Sequence, residues 1–221
     1  MRISELTLYS ENLSEQIKFY KEVLKCQVLV RDSNEFMVNL GESHVIFKKS
    51  NQKQQYHFAI NIPSNQIMQA REWLISKVSF LPFENEEIIQ FTSWNAVALY
   101  FYDKDFNIVE LIARKNMNVI SNDPFSSNSF LHISEIGLPT KNVNHAFNYL
   151  NSHLGLEKYS GDLNRFCAVG SETGLFIIIN YNIKKWIPNM ESAYPYPFDI
   201  KLENGKRSAH LRFANDQFLE L

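Results

Sequence analysis

The chain of 221 residues is poor in cysteine, has no excess of either charge and contains no long hydrophobic run. Cys26 and Cys167 are its two cysteines, too few for a disulfide framework, so a packed core must hold the fold and both thiols are expected to be buried and free. The 22 basic and 24 acidic side chains leave a net charge of -2. No basic face able to release many counterions is expected, which sets nucleic acid aside as a partner. The longest apolar runs, such as Gly174 to Ile179, fall far below the ~20 residues of a membrane span. Glu5 interrupts any apolar signal-peptide core near the start, so no membrane partner and a cytoplasmic location are the expectations. What the chain does have is apolar material, 45% of its residues, enough for one large or two small cores.

That material is organised as a repeat. Residues 3–10 alternate apolar and polar, as in a half-buried strand. A helix follows, capped by Asn12 or Ser14, with Ile17, Tyr20, Val23 and Leu24 on one stripe. Short strands are predicted at 27–30, 35–40 and 44–48. The same order restarts at Tyr56, with a strand at 56–62, a helix burying Ile67, Ala70, Trp73 and Leu74, and strands at 86–91, 96–102 and 108–112. A third copy has a strand at 132–138, a helix at 142–153 and strands near 156–159, 165–169 and 175–180. Glu5 stands fourteen positions before Phe19 and Glu135 fourteen before Tyr149, so the first and third copies keep one register. Residues 116–129 read as a linker, and 198–202 and 209–213 as a hairpin turning at Asn204-Gly205. The proline-rich stretch from Trp186 to Phe198 reads as a wrapping loop.

The expected fold class is therefore α+β, with paired βαβββ modules forming a curved sheet cleft. Modules 1–50 and 55–115 make one complete domain, and 130–221 is a third βαβββ-like half domain with a C-terminal hairpin. This half is expected to be non-catalytic and to pack on the first domain or on a second copy in a homodimer.

Three segments carry a resemblance. Residues 5–24, with Phe19-Tyr20 and Val23-Leu24 in the helix, resemble the opening of the vicinal oxygen chelate superfamily, the glyoxalase, bleomycin-resistance and extradiol dioxygenase group. Tyr56 to Ile62 is similar to the opening strand of its second module. Tyr100 to Leu111, an aromatic strand, an Asp turn, Asn107 and then Val-Glu-Leu, is similar to its closing signature. The resemblance implies a cleft metal with ligands from the first and last strand of each module. Carried over by position these are Glu5, His57 and Glu110, with the fourth position near the apolar Ile46. Glu5 departs from the pattern, which usually has His or Gln there.

One imidazole and two carboxylates suit a hard or borderline divalent ion such as Mn, Fe, Ni, Zn or Mg. Without an ion, two carboxylates in one cleft repel, so one holds its proton and Glu5 or Glu110 can serve as an acid or base. Each has a plainer role as well: Glu5 as a strand-edge carboxylate in water, His57 as a hydrogen-bonded strand histidine, Glu110 as a partner for a nearby lysine. Tyr100 and Tyr102 are expected in the core more than in the cleft, and Trp94 either at the cleft mouth or in local packing. The function implied is a small-molecule metalloenzyme that chelates two adjacent substrate oxygens. The alternative is a metal-free sequestering protein like those that confer bleomycin resistance.

Overall fold

In the computed structural model, which describes residues 1–221, all three repeats form, and each folds by the same rule. The first comprises β1 (Arg2–Ser10), α1 (Leu13–Lys18), β2 (Val28–Val30), β3 (Glu35–Leu40) and β4 (Ser43–Lys49). Asn12 caps α1 by accepting the Glu15 N–H, and a π-helical turn, Phe19–Val23, continues it. The second comprises β5 (His57–Ile62), α2 (Ile67–Leu74), β6 (Ile89–Phe91), β7 (Ala96–Tyr102) and β8 (Ile108–Arg114). The third comprises β9 (His132–Thr140), α3 (Val143–Leu154), β10 (Lys158–Gly161), β11 (Phe166–Ser171) and β12 (Gly174–Asn180). Within each, the helix carries the chain across so that the first strand lies parallel to the last, β1 on β4, β5 on β8 and β9 on β12. Parallel neighbours need such a crossover.

The tail adds β13 (Phe198–Asn204), β14 (Arg207–Ala214) and β15 (Gln217–Glu220). Its first turn is Gly205-Lys206, one residue later than Asn204-Gly205, because Asn204 is paired with Arg207. The second turn is Asn215-Asp216, both at positive φ (52° and 65°), the geometry of a two-residue hairpin of the primed kind.

The modules do not pair as their order along the chain suggests. One sheet of seven strands runs β15-β14-β13-β1-β4-β3-β2, and one of eight runs β10-β11-β12-β9-β5-β8-β7-β6. The second module thus joins the third through the antiparallel pair β5–β9, and the first joins the tail through β1–β13. The two modules expected to pair as one domain, residues 1–50 and 55–115, therefore lie in different sheets, and the third, expected as a non-catalytic half packed on that domain or on a second copy, extends the sheet of the second module. Burial explains the choice. In β3 of the seven-stranded sheet only every second residue is buried, as in a strand covered on one face. In β5, β8 and β9 every residue is buried, which requires cover on both faces.

One core of 44 buried residues lies beneath both sheets and takes in the apolar stripes of all three helices. A second cluster of 13 covers the other face of the eight-stranded sheet, with Ala59, Tyr100, Ile177 and Trp186 among its members. The 116–129 stretch is not a free linker, since Phe125 is buried against Trp73. Both cysteines are buried and free, and no helix is long and apolar enough to cross a membrane.

Candidate functional site

The closing signature sets the register of the site. Asp103 accepts N–H bonds from Asp105 and Asn107, and Tyr20 of the first module donates its hydroxyl to the same carboxylate. Asn107 Oδ1 accepts the Tyr56 N–H at 2.8 Å. That bond pins the start of β5 beside the start of β8, so His57 lies opposite Ile108 and Ala59 opposite Glu110. On the other flank, Ala59 is opposite Glu135 of β9. Three strands that meet at the middle of the sheet therefore present His57, Glu110 and Glu135 to one face.

Their ligand atoms lie within 4.8 Å of one another, and all three residues are buried. His57 Nε2 is 3.0 Å from Glu110 Oε2, while His57 Nδ1 is buried without a partner. Arg114, also on β8 and wholly buried, donates through Nη2 to Glu135 Oε1 and through Nε to Asn61 Oδ1 at 3.2 Å. Its guanidinium also lies 5.5 Å from the centre of the Trp94 ring. Burial, and then the nearby Glu110 carboxylate, push the Glu135 carboxyl up to about 8, against the pull of Arg114. Burial and the same Glu110 raise the Tyr100 hydroxyl well above its ordinary value.

This cluster forms the floor of a cavity of about 330 Å³, at the lower end of the range that holds small ligands. Tyr100, Trp94, Phe166 and Trp186 contribute its aromatic walls. Trp186 comes from the wrapping segment, its ring 5.1 Å from that of His57. The segment is tied down by Tyr102, whose hydroxyl donates to Glu191 and accepts from Asn189. Tyr100 thus lines the cleft, contrary to the expectation of a core role. Ala96, Ala98 and Tyr100 share the cleft face, whereas Leu99 and Phe101 enter the core beneath.

The donors fit a divalent cation. Adjacent ligands about 2.1 Å from a shared ion lie roughly 3 Å apart, and the nitrogen and oxygen of His57 and Glu110 stand at 3.0 Å. Arg114 occupies Oε1 of Glu135, which leaves Oε2 free to complete a set of one nitrogen and two oxygens.

No family model and no curated protein matches the sequence. Solved structures do match the fold. A candidate dioxygenase from Bacillus subtilis superposes with a TM-score of 0.59 at 14% identity, over 81% of this chain and 63% of that one. Glyoxalase I from Zea mays superposes with a TM-score of 0.55 at 16% identity, over 83% of this chain and 69% of that one. A mutant of the maize enzyme gives 0.58 at 13% identity, over 99% of this chain and 88% of that one. The chain has the vicinal oxygen chelate fold. It spans under two thirds of the length of the Bacillus protein.

In a vicinal oxygen chelate cleft built from the second and third modules, the set expected from sequence changes at one member. His57 and Glu110 come together, but Glu5 does not join them. It lies on β1 in the other sheet, partly exposed and paired with Lys201 at 2.9 Å. Its place is taken by Glu135, the residue with the same register in the third module. The fourth position moves with it: Ile46 stands two residues beyond the strand partner of Glu5, and Ile177 two beyond Leu175, the partner of Glu135. Ile177 lines the cavity and donates nothing. Sequence reading passed over Glu135 because its module lacked further ligands, although the fourteen-residue spacing to Tyr149 already pointed to it.

Proposed function

We propose that this chain is a small-molecule metalloenzyme in which His57, Glu110 and Glu135 hold a divalent cation and a substrate binds through two adjacent oxygens. The observation that carries the reading is the meeting of three ligand atoms, from three separate strands, on the buried floor of a cavity. Manganese, iron, nickel, zinc and magnesium all accept such a set. When bound, the cation polarises a carbonyl or enolate oxygen or acidifies water.

The chain's own groups supply the remaining requirements. Arg114 orients Glu135 and offsets part of the negative charge of the two carboxylates. Ile177 leaves the fourth side open to the substrate. Trp186 covers His57 and keeps bulk water from that end. Glu110, which no guanidinium neutralises, is assigned the proton-transfer role.

Protein purified without chelator should hold close to one divalent ion per chain. Its melting temperature should fall in EDTA, and both properties should be lost in His57→Ala and Glu110→Gln. Unchanged metal content in both variants would overturn the reading. One observation favours a second reading, capture of a small molecule without any cation: His57 already bonds Glu110, and Arg114 already bonds Glu135, as the chain stands. Ligand-dependent stabilisation that persists in chelator while no metal binds would select it.

A further inference from the structure

Two cations at the mouth of the cleft make no ion pair within 4 Å. Arg165, just before β11, and Lys184, just after β12, both line the cavity. Some basic groups of the chain sit against carboxylates, as Arg212 does on Asp199, Arg71 on Glu87 and Lys201 on Glu5; what distinguishes Arg165 and Lys184 is that they line one cavity together. Neither Arg165 nor Lys184 forms such a pair within 4 Å. Asp162 also lines the cavity; its Oδ1 accepts the backbone N–H groups of Asn164 and Arg165, each at 2.7 Å, and its carboxylate offsets only part of the charge of the two cations. Lys184 is half-buried, with its Nζ 5.5 Å from the centre of the Phe166 ring. Burial, and then the charge of Arg165, lower the affinity of Lys184 for its proton. Holding two like charges together at a partly desolvated mouth costs free energy that a bound anion recovers.

The two cations are also set apart from the floor. Arg165 precedes β11, which is separated from β9 by β12, a lateral offset of two strand spacings, or roughly 10 Å. Lys184 follows β12, whose Leu175 faces Glu135 and whose last residue, Asn180, lies five positions further on, roughly 16 Å along the strand. Between floor and mouth lie the rings of Trp94 and Phe166, nearly parallel at 27° with centroids 6.4 Å apart. The wall between the two ends is therefore aromatic and uncharged.

Resting on the reading of this cleft as the ligand site, we propose that it takes a small aromatic carboxylate whose ring lies along Trp94 and Phe166 and whose carboxylate is held by Arg165 and Lys184, remote from His57, Glu110 and Glu135. The pair then acts as a specificity determinant that rejects the uncharged analogue.

The test compares naphthalene-2-carboxylate with naphthalene-2-carboxamide by calorimetric titration of the full chain, in EDTA and again with added Mn²⁺. In EDTA the carboxylate should bind about tenfold more tightly than the amide. Arg165→Gln with Lys184→Met should remove that preference while leaving amide affinity within about twofold, which also shows that the variant is folded. Equal affinities in EDTA, or no binding of the carboxylate, would overturn the proposal. So would a preference that appears only with Mn²⁺ and vanishes in Glu110→Gln, since the carboxylate would then be bound at the floor. A preference that persists in EDTA in a chain that binds no metal supports the proposal and removes the metalloenzyme reading alone.

Discussion

Gly137→Ala tests how the cleft is closed. Gly137 lies on β9, two residues beyond Glu135, and a Cβ there would meet two carbons of the Trp186 ring at 2.8 Å and His57 Cβ at 3.2 Å. Carbon contacts are most favourable at roughly 3.5–4.0 Å, so one wall has to retreat by most of an ångström. His57 Cβ is fixed to a central strand, whereas Trp186 belongs to the wrapping segment, so the indole is the group that moves. Its full expulsion, at about 200 Å² of apolar surface and 25 cal/mol per Å², would cost about 5 kcal/mol and sets the ceiling. Local repacking typically costs 1–3 kcal/mol, and replacing a strand glycine returns about 0.5–1 kcal/mol. The expected net loss is about 1–2 kcal/mol, or roughly 2–8 °C in melting temperature for a chain of this size. Tryptophan emission should shift to the red as the ring gains water. The decisive arm is Trp186→Ala: in that background the same Gly137→Ala change should lose most of its cost, because only the 3.2 Å approach to His57 Cβ remains. An equal loss in both backgrounds would refute the steric account and place the cost in the backbone of β9.

Other perturbations separate the remaining assignments. Glu5→Gln removes only a partly exposed pair with Lys201; it should cost under about 1 kcal/mol and leave divalent-ion content unchanged, and loss of the ion would restore Glu5 to the site. The carboxyl of Glu135 sits above its unfolded value, up to about 8. The folded, metal-free chain therefore binds that proton more tightly than the unfolded one. The resulting stability is fully present below about 4.5 and is lost as pH rises through about 8. Urea unfolding in EDTA between pH 5 and 8.5 should show this fall in the parent and a flatter profile in Glu135→Gln, and parallel profiles would contradict it. Gly41 turns between β3 and β4 at φ +63°, and a Cβ there would meet the Leu131 carbonyl oxygen at 2.1 Å. Gly41→Ala should therefore cost about 3 kcal/mol or more, measured by chemical denaturation, and a loss below about 1 kcal/mol would mean that this docking turn is loose.

Local chemistry was legible in the residues themselves. The 3.6-residue stripes placed all three helices, and the alternations placed most strands, because these patterns report which side of an element is apolar whatever lies opposite. Two of the three ligand-type side chains, His57 and Glu110, came from the resemblance of residues 56–62 and 100–111 to known modules; both belong to one module, and the Asn107 bond to Tyr56 holds their register in the structure. The second carboxylate was not legible, since Glu5 and Glu135 hold equivalent positions in their modules and differ only in which sheet receives them. That choice belongs to tertiary structure. β1 leaves Glu5 and Tyr9 only partly buried, whereas β5, β8 and β9 are buried on both faces. Which edges then pair depends on apolar surface summed over whole modules, and no stretch of a few residues contains that sum. Pairing of β5 with β9 instead of β1 brought Glu135 to His57 and left Glu5 beside Lys201.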